Sequence, residues 1–316
     1  MDISVIIPAF NERESLPELS SWIARVMQEH GFSYEVFFVD DGSTDGTWDC
    51  VQELAAADPH VHGICFRHNY GKSAALYCGF ERAQGDVVFT MDADLQDSPD
   101  ELPEMYRMIV EGGNDIVSGW KQHRKDNALT KNIPSKLYNA TARAITGIRL
   151  HDMNCGLKAY RNEVIKNIEV YGEMHRYIPF LAKNAGYTRI TEKPVHHEKR
   201  KYGKSKFGME RFINGFLDLQ TLWFLTRFGK DPMHFFGSSG LLMFFVGFVM
   251  TVWIIAAKLI HQAQGLKFRP VTDQPLFYLA LVAVILGVLL FLAGFIGEMV
   301  ARSAPDRNRY NIKDEL

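Results

Sequence analysis

Cysteine is scarce in this chain. There are four among 316 residues, and Cys50, Cys65, Cys78 and Cys155 show no C-x-x-C spacing. That excludes a zinc ribbon and a disulfide framework and leaves reduced core thiols as the expectation. Neither sign of charge dominates: Lys and Arg total 35, Asp and Glu 37, and the formal net charge is −2. The basic surplus of a nucleic-acid binder is missing. Phosphate and calcium motifs are incomplete. No G-x-G-x-x-G occurs. Gly71-Lys72-Ser73 ends like a P-loop, but Phe66 stands where the first glycine is needed. Asp92-x-Asp94-x-Gln96 opens like an EF-hand, yet Asp97 takes the glycine position and Pro103 the terminal glutamate's. Internal repeats and low-complexity tracts are absent as well.

Two segments, 235–257 and 276–297, contain no charged residue. Each would make a helix of about 33 Å, enough to cross a bilayer core of about 30 Å. A pair of buried core helices is the alternative, but nothing later in the chain could cover such faces. Gly237, Gly240, Gly247, Gly287, Gly294 and Gly297 suit close helix contact in lipid, and they permit a homo-oligomer without requiring one. No basic n-region precedes the first apolar run, so the first 200 or so residues are expected to stay cytoplasmic. Arg227 and Lys230 precede the first span, Arg302, Arg307, Arg309 and Lys313 follow the second, and the loop between holds Lys258, Lys267 and Arg269. This bias places the N-terminal domain and both termini in the cytoplasm, with a bacterial inner membrane the expected location. The last four residues, Lys313-Asp314-Glu315-Leu316, spell a retention address read in the endoplasmic reticulum lumen. With a cytoplasmic tail, that match is coincidence.

Residues 3–118 alternate strand and helix patterns. Strands are expected at 3–8, 34–39, 61–66, 87–91 and 115–118, and helices near 15–30, 44–57 and 73–84, with another opening at Ser98-Pro99. Such alternation predicts an α/β fold with a mostly parallel sheet covered on both faces. The strand at 87–91 ends in Asp92 and Asp94, two carboxylates one residue apart. Hard oxygen donors at the lip of a parallel sheet suit Mg²⁺ or Mn²⁺ held together with a substrate's phosphates. The second strand ends in Asp40-Asp41-Gly42-Ser43-Thr44, where a carboxylate can accept from a ribose or a base, and Ser43 or Thr44 can cap the next helix. Alone this is an ordinary acidic turn. Beside Pro8-Ala9-Phe10-Asn11-Glu12 it reads as a nucleotide pocket.

The chain resembles the family 2 glycosyltransferases of GT-A fold, and within them the polyprenyl-phosphate, dolichol-phosphate-mannose-synthase-like branch. The resemblance rests on Val5-Ile6-Ile7-Pro8-Ala9-Phe10-Asn11-Glu12, Asp40-Asp41-Gly42-Ser43, Asn69-Tyr70-Gly71-Lys72 and Asp92-Ala93-Asp94-Leu95-Gln96. It continues through Asn154-Cys155-Gly156-Leu157-Lys158-Ala159-Tyr160-Arg161 and His197-Glu198-Lys199-Arg200-Lys201-Tyr202-Gly203-Lys204-Ser205-Lys206. It implies a cytoplasmic GT-A domain over 1–207, an interfacial amphipathic helix over 208–232, and a transmembrane hairpin with a short tail over 233–316. It further implies that Asp92, Asp94 and Gln96 hold the metal and the donor diphosphate. Pro8, Glu12, Asp40, Asp41 and Lys72, with Asp92, would bind the nucleotide. Arg124, Ser135, Arg200 and Lys206 would face the acceptor and donor phosphates, and Asp152 would sit near the reacting centre. Where the family often has Ser-Gly-Phe this chain has Cys155-Gly156-Leu157, and Lys158 replaces a common Arg.

The expected reaction moves one sugar, a hexose such as glucose or mannose, from a nucleotide-sugar to undecaprenyl or dolichyl phosphate, with inversion. A phosphomonoester has a second pKa of about 6, so the acceptor is already mostly ionised and needs positioning more than deprotonation. Lys199, Arg200, Lys201, Lys204 and Lys206 fit that need, and they fit a patch binding anionic lipid headgroups equally. Ser135, Asn139 and Arg143 share a helix face that is either part of the site or simply solvated. Asp152 is either a general base or a carboxylate that orients Lys and Arg, and the ionised acceptor favours the second role. His196 and His197 lack metal-ligand spacing and read as polar lining. The processive-synthase motif Q-x-x-R-W is absent, which points to a single transfer. Two rival readings stand beside this one: the same fold acting on another lipid-linked acceptor, and a non-catalytic membrane scaffold.

Overall fold

The structure is a computed structural model describing residues 1–121, 143, 146–172, 174–198, 201–202, 232–266, 269–302 and 310–316. It divides into two units: Met1–Leu219 with Arg307–Leu316, and Gln220–Asp306.

The first unit is built on β1 (Ile3–Ala9), an apolar run buried along nearly its whole length. A strand buried on both faces belongs in the middle of a parallel sheet. β1 lies there, pairing in parallel with β2 (Tyr34–Asp40) on one side and β4 (Val87–Thr90) on the other. β3 (Val61–Phe66) continues the parallel set beyond β2. Helix α1 (Leu16–His30) follows β1 and buries Leu16, Leu19, Ile23, Val26 and Met27, one stripe of a 3.6-residue period. Gly31 ends it in the left-handed conformation, φ 68°, returning its N–H to the last carbonyls.

The remaining helices of the early repeats are α2 (Thr47–Ala57), α3 (Lys72–Arg82) and α4 (Leu102–Val110). Alternation along β1 assigns them to faces. Ile3, Val5 and Ile7 pack with α1, α2 and α4 residues in one core. Ile6 points the other way, under α3, where a β-carbon on Gly79 would meet it at 2.4 Å. The sheet is thus covered on both sides.

Past the early repeats come β5 (Ile116–Trp120), β6 (Lys158–Arg161), α5 (Asn162–Lys166), α6 (Ile178–Asn184) and β7 (Ile190–Pro194). β6 inserts antiparallel between β4 and β5, and β7 pairs in parallel with β5. The order among the described residues is β7-β5-β6-β4-β1-β2-β3-β8. The last strand, β8 (Ile312–Glu315), is the tail expected to run on after the hairpin; instead it pairs antiparallel with β3. The four-residue retention-like sequence is therefore sheet backbone, with Leu316 N–H donating to the Gly63 carbonyl at 2.8 Å. All four cysteines are buried and free, as their spacing implied.

The second unit holds two long helices, α7 (Pro232–Ala263) and α8 (Pro275–Arg302). Across 18-residue apolar windows within Met233–Ala263 and Pro275–Gly297 only 17% and 22% of residues are buried, which sets them apart from soluble core helices. They touch through glycines: a β-carbon on Gly240 would lie 2.6 Å from the Gly287 carbonyl, and one on Gly247 would lie 2.7 Å from that of Ala280. Small residues bring helix backbones together where no hydrophobic force operates between them. The proposed interfacial helix over 208–232 falls outside the described residues except for Pro232.

Candidate active site

Every parallel strand of the early repeats ends on the same edge, and the candidate residues collect there. Pro8 and Ala9 close β1 in register with Val39 and Asp40 of β2. Met91 N–H donates to the Ile6 carbonyl at 3.1 Å, which brings Asp92 alongside them.

The turn after β2 is tied to the turn after β1. Asn11 N–H donates to Ser43 Oγ at 2.8 Å, Thr44 N–H to Asn11 Oδ1 at 2.9 Å, and Glu12 N–H to Thr47 Oγ1 at 3.0 Å. Asn11 holds φ 55°, a left-handed conformation that asparagine tolerates better than most. Ser43 is therefore spent on Asn11, and neither it nor Thr44 caps α2. The helix begins at Thr47 and not near 44; its N-cap is Gly46, which has no side chain to cap with, and Asp45 in the turn before it accepts from Thr47 N–H at 3.0 Å. Asp40 accepts from Ser43 N–H at 3.1 Å. Asp41 accepts from Tyr70 and Gly71 N–H at 2.7 and 2.9 Å, fastening this turn to the loop before α3. Burial raises the Asp41 carboxyl to about 6 despite those two donors. Gly42 is needed for both its φ of 73° and its closeness to that loop, since a β-carbon would sit 2.7 Å from the His68 carbonyl carbon.

Asp92 is encircled by cations. Burial alone would raise its carboxyl, but Lys72, Lys121 and Lys158 outweigh burial and hold it well below the usual range. Lys72, the first residue of α3, forms a direct ion pair with Asp92 Oδ1. Gly156 leaves the space: a β-carbon there would lie 2.3 Å from Asp92 Oδ2. Asp94 accepts from Gln96 N–H at 3.1 Å. Between them Leu95 adopts φ 59°, costly for a branched side chain at about 1–3 kcal/mol, and it is held by burial of that side chain. Gln96 is fixed by Glu198, whose carbonyl accepts from Gln96 Nε2 at 3.4 Å and whose N–H donates to the Gln96 carbonyl at 2.9 Å.

Beneath this lip lies a buried charge layer that the sequence reading largely missed. Asp97 is 0% exposed and pairs with Lys121 Nζ at 2.7 Å. Burial would lower Lys121, but Asp97 outweighs it and raises the ammonium above its ordinary value. Lys158 is also buried and donates to the Cys155 carbonyl; burial lowers it. Burial pushes the Cys155 thiol up to about 12, so it is a neutral core group. Asp152 is 3% exposed, accepts from Asn154 N–H at 3.1 Å, and acts electrostatically on Lys158 and Cys155. Ser73 accepts from His175 N–H at 3.0 Å, and its hydroxyl lies 3.1 Å from Nδ1 of that ring; burial holds the imidazole neutral. A legible signal existed for Lys121: it directly follows a buried strand, as Asp41 and Asp92 nearly do. Asp97 likewise follows the acidic motif directly.

The structure brings Pro8, Glu12, Asp40, Asp41, Lys72, Asp92, Asp94, Gln96 and Asp152 to this edge or directly below it. Arg124, Ser135, Arg200 and Lys206 lie outside the described residues, as does Asn139. Lys201 turns to the surface, where it pairs with Glu18 at 2.7 Å. His196 is exposed, whereas His197 is buried with Nδ1 4.0 Å from Asp97, so only the first fits an open polar lining. No group of three His, Cys, Asp or Glu converges among the described residues. Two carboxylates and an amide are nonetheless the donor chemistry of a hard divalent cation completed by water and phosphate oxygens. The glycine cradle at Gly156 keeps Asp92 accessible to one.

Residues 4–169 match the family described as glycosyl transferase family 2. The chain belongs to that family. It is 33% identical over 305 residues to dodecaprenyl-phosphate galacturonate synthase of Rhizobium johnstonii, covering 96% of this chain and 88% of that one. It is 36% identical over 320 residues to undecaprenyl-phosphate 4-deoxy-4-formamido-L-arabinose transferase of Shewanella sediminis, covering 99% and 92%. Among solved structures, glucosyl-3-phosphoglycerate synthase from Mycobacterium tuberculosis, in complex with Mn²⁺, UDP-glucose and phosphoglyceric acid, matches with a TM-score of 0.53 at 18% identity over 71% of this chain and 79% of that one. At that identity the likeness speaks for the fold. The protein is thus a glycosyltransferase with a GT-A-like α/β sheet followed by two long apolar helices.

Proposed function

We propose that this glycosyltransferase moves one sugar from a nucleotide-sugar to a polyprenyl phosphate at the cytoplasmic face of a membrane. The observation that carries the reading is the acidic lip of Asp92, Asp94 and Gln96, set in a family 2 chain whose relatives align over the apolar helices as well as the sheet. Those relatives are named for a uronic acid and a modified pentose, so the hexose expectation widens to a sugar of open identity.

In this reading an oxygen of the acceptor phosphate forms the bond to the anomeric carbon as the bond to the nucleoside diphosphate breaks, inverting that carbon. Asp40, Asp41 and Pro8 face the nucleoside. Asp92, Asp94 and Gln96 would hold Mg²⁺ or Mn²⁺, which when bound would neutralise charge on the diphosphate. Lys72, paired with Asp92 here, is placed to turn toward that diphosphate. Asp152 is buried among groups that include Lys158, and the acceptor arrives already ionised, so Asp152 orients cations and does not serve as the base. Arg124, Ser135, Arg200 and Lys206 are assigned to the phosphates by family resemblance.

The test is transfer from a panel of labelled uridine and guanosine diphosphate sugars to undecaprenyl phosphate, using purified protein with Mn²⁺ or Mg²⁺. Label should enter the lipid phase with at least one donor, and transfer from none overturns the reading. Undiminished transfer by Asp94→Ala overturns the metal assignment. For Asp152→Asn, the expected result is reduced kcat with the parent's pH profile; loss of an acid limb would instead make Asp152 the base.

A further inference from the structure

Residues 312–315, later in the chain than the second long helix, are built into the sheet beside β3. β8 pairs with β3, with Ile64 opposite Glu315 and Cys65 opposite Asp314. Gly63 and Leu316 exchange backbone bonds at 3.3 and 2.8 Å, and Arg67 N–H donates to the Asn311 carbonyl at 3.2 Å. The side chains add specificity: the Arg82 guanidinium grips both carboxylate oxygens of Glu315, with Nη2 2.8 Å from Oε2. Bidentate pairs of this kind fix geometry as well as add energy.

At the start of this tail, Tyr310 packs against the loop that leads into α3. Its ring centroid lies 5.3 Å from Tyr70, 5.9 Å from Phe66 and 6.2 Å from Tyr77. Asn311 N–H donates to the Tyr70 hydroxyl at 3.3 Å. The other side of the same loop presses on the turn after β2: Tyr70 and Gly71 N–H bind Asp41, and His68 stands against Gly42. The loop ends at Lys72, which reaches Asp92. One five-residue loop, 67–71, thus lies between the tail and the groups that face the donor.

We propose that residues 310–316 are a positioning element of the nucleotide site: docked as β8, they hold loop 67–71, and through it Asp41 and Lys72, in the geometry that receives a nucleoside diphosphate. The proposal rests on the donor-site reading above. Preorganising a loop raises affinity by lowering the cost of ordering it on binding. Tyr310 meets three aromatic rings at the loop, so loss of its ring should weaken nucleotide binding by about tenfold, a change of about 1.4 kcal/mol. Acceptor affinity should not change, because the tail reaches the site only through loop 67–71, which meets Asp41 and Lys72.

The experiment uses the full chain in detergent. UDP and GDP binding are measured by calorimetry with Mn²⁺, and amide exchange is followed over 67–71. The variants are Tyr310→Ala, Glu315→Arg, and Glu315→Arg combined with Arg82→Glu. Expected results are about tenfold weaker binding of the nucleotide that the parent binds and faster exchange at Tyr70 and Gly71 in both single variants. KM for polyprenyl phosphate should be unchanged, and the charge-swapped pair should restore both binding and exchange. Faster loop exchange with unaltered nucleotide affinity overturns the proposal. So does a swapped pair that restores the thermal midpoint without restoring binding, because the tail would then be only structural. If the parent binds neither UDP nor GDP, the donor reading fails and the proposal with it; parent binding that persists unchanged in the variants fails the tail's role alone.

Discussion

At the scale of single residues, the tightest constraint in the site is a missing side chain. Asp92 occupies the space over Gly156 where a β-carbon would lie 2.3 Å from its Oδ2 and 2.5 Å from its Cγ. Gly156→Ala must therefore displace the carboxylate or β6. Misplacement of about 1 Å at a reacting centre can cost about 10²-fold in rate. A comparable loss of transfer is expected, together with weaker Mn²⁺ binding by calorimetry; wild-type kinetics in that variant would remove Asp92 from the site. Asp41 offers a test through pH. Its carboxyl is raised by burial to about 6, from 3.8 for an unperturbed group. The folded state holds this proton more tightly, so the stabilisation is fully present below about pH 4 and is lost as pH rises through about 6. The full effect is about 2–3 kcal/mol. Asp41→Asn should flatten that slope, and thermal midpoints of parent and variant should converge at low pH and separate above pH 6. Parallel curves would exclude the effect. The acidic residues themselves were legible in the sequence because they interrupt apolar runs. Lys121 and Asp97 were marked only by their places after a buried strand and after the acidic motif; their pairing across 24 positions, and that of His175 with Ser73 across 102, was not legible.

At the scale of elements, what could be read was what hydrophobic pattern dictates. β1, β2, β3 and β4 are apolar runs buried at nearly every position, and their observed bounds differ little from those expected. β8 carries no such pattern: Lys313, Asp314 and Glu315 are all exposed, and the strand exists because its backbone completes the open edge of β3. β6 escaped notice for another reason, since it is four residues long and inserts antiparallel between strands that come earlier in the chain. The start of α2 differs from the expected one because Ser43 is consumed by Asn11 and the N-cap position falls to Gly46, with Asp45 holding Thr47 N–H from the turn before it. Asp45→Ala should therefore destabilise the sheet unit by about 1 kcal/mol, the usual net worth of one hydrogen bond. Ser43→Ala should act chiefly on the Asn11 turn and hence on nucleotide binding. Thermal unfolding and UDP or GDP titration of the two variants separate these effects, and equal effects on both readouts would contradict the assignment.

At the scale of the whole molecule, connectivity carries a statement about topology. The chain leaves the sheet unit, passes through α7 and α8, and returns to the same unit as β8. Under the proposed function the two helices cross the membrane as a hairpin, which would put the chain before α7 and the tail on one side and the short loop near Gln264 on the other. The modest surplus of Lys and Arg flanking the spans favours the same arrangement, and the proposed function takes that side as the cytoplasm. The glycines read from sequence as permitting self-association are occupied within the hairpin, at least at Gly240, Gly247 and Gly287. Cysteine labelling can test the arrangement, because the four native thiols are buried. In intact cells a membrane-impermeant maleimide should label Gln264→Cys. It should label Lys313→Cys, on the exposed side of β8, only after permeabilisation. Labelling of Lys313→Cys in intact cells would place the sheet unit outside, away from a cytoplasmic nucleotide-sugar, and would overturn the assignment of the donor site to the cytoplasmic face.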